Sequence, residues 1–355
     1  MPLSKPIKMA GVELKTADNV LVRIETSDGI VGWGEAASSP SMTGETIESM
    51  MAAIRHLGPL LAGSGFEDIA ALSKRMDRAF YGNYGAKSAI EIALHDVLGK
   101  TQSKPVFELL GGKRRDRAPM LRLLASSNID ADVAEGLRAK AEGYVMFKVK
   151  VGTGDPKTDA ERTRRVCDAL NGDVVISADA NQGWSVDEAL EFVRALEGSR
   201  LDFFEQPVMG DDLAGMARIA AATDIAIACD EGVHRPDDLR RHHDARAARG
   251  GSLKTVKLGG LKPVCEAAAL CEELGMKVNL AGKIAESGIG SAALLHLAAV
   301  APTLDWGVSP TSPYLTEDVI KQPLELFGGY AVVPTGAGLG IEVDEQRVRR
   351  FTIER

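Results

Sequence analysis

Cysteine is scarce in this chain, and none of it is paired by spacing. Cys167, Cys229, Cys265 and Cys271 are scattered through 355 residues with no CxxC among them. A chain of this length can bury a sizeable core and needs no disulfide staples, so the four are expected as reduced thiols of a cytoplasmic protein. Cys265 and Cys271 share one helical stretch but lack metal-ligand spacing. The sequence also has no apolar run long enough to span a bilayer, and no N-terminal stretch that resembles a signal peptide. A basic excess is missing too: 42 Lys and Arg stand against 50 Asp and Glu, a net charge of −8. Nucleic acid or an anionic membrane would want a basic face, so neither is expected as a partner. The locally basic Arg240-Arg241-His242-His243 reads as one face of a solvated helix. What remains is ordinary globular composition, 45% hydrophobic and 26% charged, with no low-complexity segment or flexible linker.

The chain divides into three stretches. Residues 1–112 read as an α+β unit. Asn19–Thr26 alternates apolar and polar residues, Ser27-Asp28-Gly29 supplies a turn, and Ile30–Glu35 returns as a second strand. From Thr46 to Leu110 the pattern is helical, and Ala86–Leu98 carries an amphipathic stripe. Residues 113–321 alternate short apolar strands with helix-length segments such as Pro156–Leu170 and Val186–Leu196. Eight such strands, from MLRLLA to LDWGV, suit a parallel α/β barrel, with a doubly wound open sheet as the rival. Residues 322–355 return to short strands and turns and are expected to fold back on the first unit. Gly336, Gly338 and Gly340 form a GxGxG with no helix after it, so they read as a turn and not as a nucleotide loop.

Charge recurs at the C-terminal ends of the middle strands, where barrel active sites form. In Phe147–Val151, alternation puts Phe147, Val149 and Val151 on one face and Lys148 and Lys150 on the other. The apolar face must pack on helices, so both lysines point into the barrel mouth. Asp179 and Asn181 share a face of the next strand. Glu205 ends LDFFE, Asp230 ends IAIACD, and Lys254 lies in SLKTV. The intervals 179→205, 205→230 and 230→254 are 26, 25 and 24 residues, about one βα unit each. Charges inside a barrel are costly unless paired or metal-bound. Three carboxylates from consecutive strands call for a cation between them, and an all-oxygen set suits magnesium better than zinc. A lysine near other positive charge, or partly desolvated, has a lowered pKa and can serve as a base. Taken singly, a strand-end aspartate is usually a helix cap and a lysine usually surface. Their repetition at the βα period is what marks a site.

These residues resemble the enolase superfamily, in its muconate-lactonizing (muconate cycloisomerase-like) subgroup. The resemblance rests on Lys148-Val149-Lys150, Asp179-Ala180-Asn181, Glu205-Gln206-Pro207, Asp230-Glu231 and Lys254–Gly260 across the barrel. In the first unit it rests on ADNVLVRIETSDGIVGWGEA, NYGAKSAIEIALHDVLGK and ELLGG, and in the tail on LDWG…LTED and PTGAGLGIEVDE. It implies an α+β cap over a modified (β/α)7β barrel of the TIM type, in a cytoplasmic homo-oligomer. Asp179, Glu205 and Asp230 would hold Mg2+, with Mn2+ as a substitute, and Asn181 and Glu231 would stand behind them. Lys150 and Lys254 would be the acid/base pair on opposite faces of a small carboxylate substrate. Lys148 would lower the pKa of Lys150 and touch the substrate carboxylate. The implied chemistry removes the proton α to that carboxylate through an enediolate.

The fate of that intermediate divides the functional expectation. Racemisation, epimerisation or dehydration of a proline- or hydroxyproline-like amino acid is the first reading. A cycloisomerase acting on a muconate-like diacid is the second, supported by the tail and by Glu286. A non-catalytic metal-binding protein on the same fold is the third. Departures from the family pattern bear on this choice. The chain starts at a segment like the family's substrate-covering loop, without the short strand that usually precedes it. The mandelate-racemase branch uses a histidine on strand seven, whereas NLAGKIAES has none; His296, in an apolar helical run, reads as structural. Ser309 and Thr311 stand where dipeptide epimerases of the subgroup carry Asp-x-Asp. Lys283 follows strand seven, where an uncharged residue is usual, and either pairs with Glu286 or binds a second anionic group of the substrate. The loops around Pro6–Val12 and Ser38–Thr43 are expected to shape substrate choice.

Overall fold

The computed structural model describes residues 1–9 and 12–353. Its first unit opens with two antiparallel hairpins, β1 (Pro2–Met9) with β2 (Val12–Thr16) and β3 (Asn19–Glu25) with β4 (Val31–Ala37). The second is the hairpin that the alternation predicts. In the first, Pro2–Met9 is strand where the resemblance implies a loop. Leu3 and Ile7 are buried there with Ala17 and Ala285, and Leu3 bridges to Leu315. Of the specificity loop expected at Pro6–Val12, Ala10 and Gly11 lie outside the described residues.

Helices α1 (Pro40–Thr43), α2 (Ile47–Leu61), α3 (Ile69–Ala79), α4 (Tyr84–Thr101) and α5 (Val106–Leu109) follow. Local chemistry starts them: Thr46 and Ser49 form a reciprocal capping box on α2, and the Asp68 carboxylate accepts the Ala71 N–H on α3. The expected amphipathic stripe on α4 is corrected. Every residue from Gly85 to Gly99 is buried, because the β3–β4 hairpin, α2, α3 and the barrel surround the helix. The hairpin can approach that closely only through glycine. A Cβ on Gly34 would stand 1.9 Å from the Ala89 carbonyl oxygen, and one on Gly32 2.5 Å from that of Ala93.

After β5 (Arg117–Pro119) the chain alternates strand and helix. The order is β6 (Leu121–Leu124), α6 (Ile129–Ala141), β7 (Met146–Lys150), α7 (Pro156–Ala169), β8 (Val175–Asp179), α8 (Val186–Ala195) and β9 (Phe203–Glu205). It continues through α9 (Leu213–Ala221), β10 (Ala226–Cys229), α10 (Pro236–Asp244), β11 (Gly250–Leu253), α11 (Thr255–Leu258), α12 (Leu261–Glu273), β12 (Lys277–Ala281), α13 (Gly288–Val300) and β13 (Val308–Ser309). The eight strands β6 to β13 lie parallel in sequence order. A parallel bridge from Met120 to Val308 joins the two ends, so the sheet is a barrel and not the open rival. Its floor is apolar: Phe203 stacks on Trp306 with centroids 4.0 Å apart, beside Leu121 and Met146. Above them Ser252 donates to the Asn279 carboxamide, which donates to the Trp306 and Gly307 carbonyls. Only the C-terminal end of the barrel is left open for chemistry.

The tail carries β14 (Leu326–Phe327), β15 (Tyr330–Val332) and α14 (Glu345–Phe351). β15 pairs with both β14 and β5. The Gly338 turn exchanges hydrogen bonds with Lys104 and Val106, and the Leu339 N–H reaches the Asp96 carboxylate on α4.

Two carboxylates of the first unit lock it to the barrel by serving helix N-termini across the joint. Glu35 accepts the Ser287 N–H at 2.9 Å, the Ser287 hydroxyl at 2.6 Å and the Gly290 N–H at 2.8 Å at the start of α13. Glu91 accepts the Leu261 and Lys262 N–H groups at 2.8 and 2.9 Å at the start of α12. Unsatisfied N–H groups and the positive helix end make both good anion sites.

Candidate active site

The alternation in β7 does what its side-chain pattern requires. Phe147, Val149 and Val151 join the apolar layer between barrel and helices, and Lys148 and Lys150 enter the mouth. In register, Lys150 faces Asp179 on β8, and Asp179 faces Glu205 on β9. Asp230 follows β10 directly and Lys254 follows β11. The charges therefore stand at similar heights around the rim. A cavity of about 970 Å³ opens over them, lined by Lys148, Lys150, Asp179, Glu205 and Lys254 below and by Ser38–Met42 of the first unit above.

Every one of these charges has a partner. Lys150 donates to Asp179 at 2.6 Å and also to the Asn181 carboxamide oxygen. Lys148 donates to Glu205 at 2.6 Å and lies 3.6 Å from Asp179. Lys254 pairs with Asp230. Asn181 in turn donates to Glu231 at 3.1 Å. Asn181 and Gln206 sit at φ of +43° and +34°, in the left-handed region that most side chains avoid, so the rim backbone is strained where it turns out of β8 and β9.

The charge states follow from this pairing. Burial disfavours the Lys254 charge, but the Asp230, Glu231 and Glu205 carboxylates outweigh burial and push its pKa well up. Lys148 also goes up, as Glu205 and Asp179 overcome its burial. Asp230 is driven down, because Lys254 and Lys257 overcome its own burial. Burial, then the Asp230 charge, pushes Glu231 up to about 7. Positive neighbours do not decide the charge of these lysines while carboxylates touch them.

Lys257 is a participant the sequence reading quoted without a role. It is fully buried behind Asp230, donating to its carboxylate at 2.6 Å, to its carbonyl and to the Ser252 carbonyl. Its place three residues after Lys254, on the one-turn α11, is the signal that could have found it. Gln206 is a second such residue. Its side-chain oxygen accepts the Asp230 N–H at 2.8 Å and the Gly232 N–H at 3.2 Å, holding the β10 turn.

Glu286 lies behind the cavity wall. It is 3% exposed and is absent from the cavity wall. Its carboxylate packs over Gly282, where a Cβ would meet it at 2.7 Å, and beside Gly290. Its N–H donates to the Lys283 carbonyl and the Thr311 hydroxyl, both at 3.1 Å. Burial, then the nearby Glu35 charge, lifts its pKa to about 8. Of the two expected roles of Lys283, a close ion pair with Glu286 is not made, although each charge still favours the other. Lys283 itself lines the cavity, as do Ser309 and Thr311. His296 is buried on α13 and accepts the Phe107 N–H at 3.2 Å, a structural role.

An all-oxygen donor set at the ends of three consecutive strands suits a hard divalent cation. As they stand, no three acidic, His or Cys side chains among the described residues converge on one point, because each carboxylate leans on a lysine. Their backbone positions adjoin at the ends of consecutive strands. The buried Glu231 Oε2 has no hydrogen-bond partner, and it adds an orphaned acceptor beside the set.

A capped parallel barrel with a lysine- and carboxylate-lined mouth defines a class of protein, and comparison with known proteins narrows it. Residues 1–111 match the mandelate racemase/muconate lactonizing enzyme N-terminal domain, and residues 131–347 the enolase C-terminal domain-like family. Muconate cycloisomerase 1 of Acinetobacter baylyi is 33% identical over 99% of this chain and 96% of that protein. The solved N-succinyl Arg/Lys racemase of Bacillus cereus is 31% identical, covering 99% of this chain and 95% of its own, with a TM-score of 0.94. A dipeptide epimerase of Cytophaga hutchinsonii, solved with Mg and the dipeptide D-Ala-L-Val, is 30% identical over 98% of this chain and 95% of its own, with a TM-score of 0.91. The chain belongs to the enolase superfamily, in its muconate-lactonizing subgroup. These relatives are isomerases: a cycloisomerase, a racemase and an epimerase.

Proposed function

We propose that this protein is a divalent-metal-dependent isomerase that removes and returns the proton α to a substrate carboxylate. One observation carries the reading. Lys150 ends β7 and Lys254 follows β11, four strands away in a closed eight-stranded barrel, so the two amines face one another across one cavity. A carbon held between them can lose its proton to one amine and regain it from the other on the opposite face. Lys148, beside Lys150 on the same face of β7, is placed to bind the substrate carboxylate.

Asp179, Glu205 and Asp230 fit as the metal ligands by donor chemistry and by position. Asn181 and Glu231 support them, and Lys257 and Gln206 fix Asp230. Bound there, Mg2+ or Mn2+ would supply a fixed positive charge that holds the substrate carboxylate and offsets the charge building as the proton leaves. The apolar floor and the cap over the mouth restrict water, which strengthens every charge interaction inside. The names of the relatives widen the substrate expectation from proline-like amino acids to acylated amino acids and dipeptides. Ser309 and Thr311 in place of acidic residues argue against a dipeptide's free ammonium at that wall. The same two amines would also serve dehydration of a β-hydroxy amino acid, with one acting on the leaving group.

The test is α-proton exchange in deuterium oxide, followed by NMR across amino acids, N-acyl amino acids, dipeptides and hydroxyprolines. Lys150→Ala and Lys254→Ala are each expected to abolish exchange on a substrate the parent enzyme turns over. Unchanged exchange in both variants rejects the reading. Similarity to muconate cycloisomerases supports a second reading, ring closure of a muconate-like diacid. Lactone formation from cis,cis-muconate, followed by ultraviolet absorbance, decides between them.

A further inference from the structure

Lys150 stands where β7 loses its neighbour on one side. The Val151 N–H donates to the Asp179 carbonyl at 2.9 Å on the β8 side, so the Lys150 carbonyl, one residue earlier, faces the other way, toward β6. β6 ends at Leu124, opposite Val149, and offers no further rung. The next N–H in line, that of Ser126, donates instead to the Asp132 carboxylate at 3.0 Å. A rim carbonyl left there without a donor is costly, and the ladder cannot supply one.

Arg162 supplies it from α7, behind the barrel wall. Its guanidinium is buried. One terminal nitrogen donates both to the Lys150 carbonyl and to Asp159, the latter at 2.8 Å, and the other donates to Asp132 at 2.6 Å. Asp159 and Asp132 are themselves buried. Asp159 also accepts the Gly152 N–H at 3.0 Å, so the chain is gripped on both sides of Val151. Gly152 sits at φ +89°, and a Cβ there would stand 2.4 Å from the Ala180 carbonyl oxygen, so the turn out of β7 has no room to relax. Lys254 is held in another way. Its carbonyl accepts the Lys257 and Leu258 N–H groups at 3.3 and 3.1 Å, so α11, its own next turn, fixes its backbone.

We propose that Arg162, with Asp159 and Asp132, is a positioning residue for Lys150: the buried triad sets the height of that lysine on the rim from outside the cavity. The inference rests on the proposed function, in which Lys150 and Lys254 serve opposite faces of the α-carbon. Only one of the two amines is held by the triad. Loosening it therefore costs the enantiomer whose α-proton faces Lys150 and spares the enantiomer whose α-proton faces Lys254. A general loss of structure would slow both.

The test measures initial deuterium uptake at the α-carbon for each enantiomer of the fastest-exchanging acid, with the Mg2+-loaded protein. Lys150→Arg marks the enantiomer that Lys150 serves, as the one it slows more. Arg162→Lys keeps a cation between the two aspartates but loses the planar fork that reaches three acceptors at once. It is expected to lower kcat for the marked enantiomer by about tenfold or more, with its KM and the rate of the other enantiomer each within about twofold of the parent. Asp159→Asn should shift the same ratio in the same direction by less. Equal slowing of both enantiomers, a change confined to KM, or no change in either overturns the proposal. Should Arg162→Lys not fold, Asp159→Asn decides by the same ratio. Should the parent protein exchange no acid, the proposed function fails separately, and the crystal structure of Arg162→Lys decides. A Lys150 amine that has left Asp179 while Lys254 stays on Asp230 supports the triad's role, and an unmoved Lys150 overturns it.

Discussion

The two walls of the barrel mouth follow opposite rules. From β7 to β11 each lysine meets a carboxylate: Lys150 with Asp179, Lys148 with Glu205, and Lys254 and Lys257 with Asp230. From β12 to β13 a buried lysine ammonium and a buried serine hydroxyl make no hydrogen bond among the described residues. The first wall is self-neutralising, and it can carry chemistry common to a family. On the second wall the Glu286 and Glu231 charges favour the Lys283 ammonium without forming an ion pair, while burial and Lys254 disfavour it, so its charge is the more easily lost.

Breaking the paired wall should have the largest effect. Lys150→Ala or Lys254→Ala removes a proton-transfer group and is expected to slow α-proton exchange by roughly 10²–10⁴-fold, read by NMR in deuterium oxide. Next comes Lys257→Met. Asp230 is fully buried, and removing one of its two cations leaves charge uncompensated, so a loss of about 3–5 kcal/mol is expected in urea unfolding. A loss below about 1 kcal/mol would show that Lys254 alone suffices for Asp230. Glu35→Gln tests the joint that holds the cap over both walls. Donors at the start of α13 lose acceptor capacity, for roughly 1–3 kcal/mol by thermal unfolding.

The unpaired wall gives a smaller effect that depends on pH. Burial and the neighbouring Lys254 ammonium bring the Lys283 pKa down to about 8, so its ammonium is present below that pH and lost above it. Affinity for a carboxylate ligand of the cavity, read by calorimetry, should therefore weaken as pH rises through 8 to 9. Lys254, Lys150, Glu231 and Glu286 also bear on Lys283. The control is Lys283→Gln, which should flatten the pH step; a step that persists in that variant would assign it to a neighbour.

Much of the fold was legible because its signals are local. Alternation in Phe147–Val151 aims both lysines inward, and a βα unit returns the chain to the rim about every 25 residues. The same reasoning went wrong where packing overrides local pattern. α4 reads as amphipathic yet is buried on all sides, and Pro2–Met9 reads as loop yet pairs as a strand. It also failed just beyond strand ends, where alternation no longer aims a side chain. Glu286 is five residues past β12, in a turn that includes Ala285 at φ +79°, and its carboxylate packs behind Gly282.

The sequence by itself determined the capped-barrel class, the family, and which side chains stand on the rim, because each depends on spacing along one chain. Tertiary structure alone decided which charges pair and which stay open. Lys257 behind Asp230, the raised pKa of Lys254, and the Lys283 and Ser309 side chains left without a hydrogen bond all depend on distances between different strands. Electrostatic energy changes steeply over those few ångströms, and no pattern along a single strand encodes them.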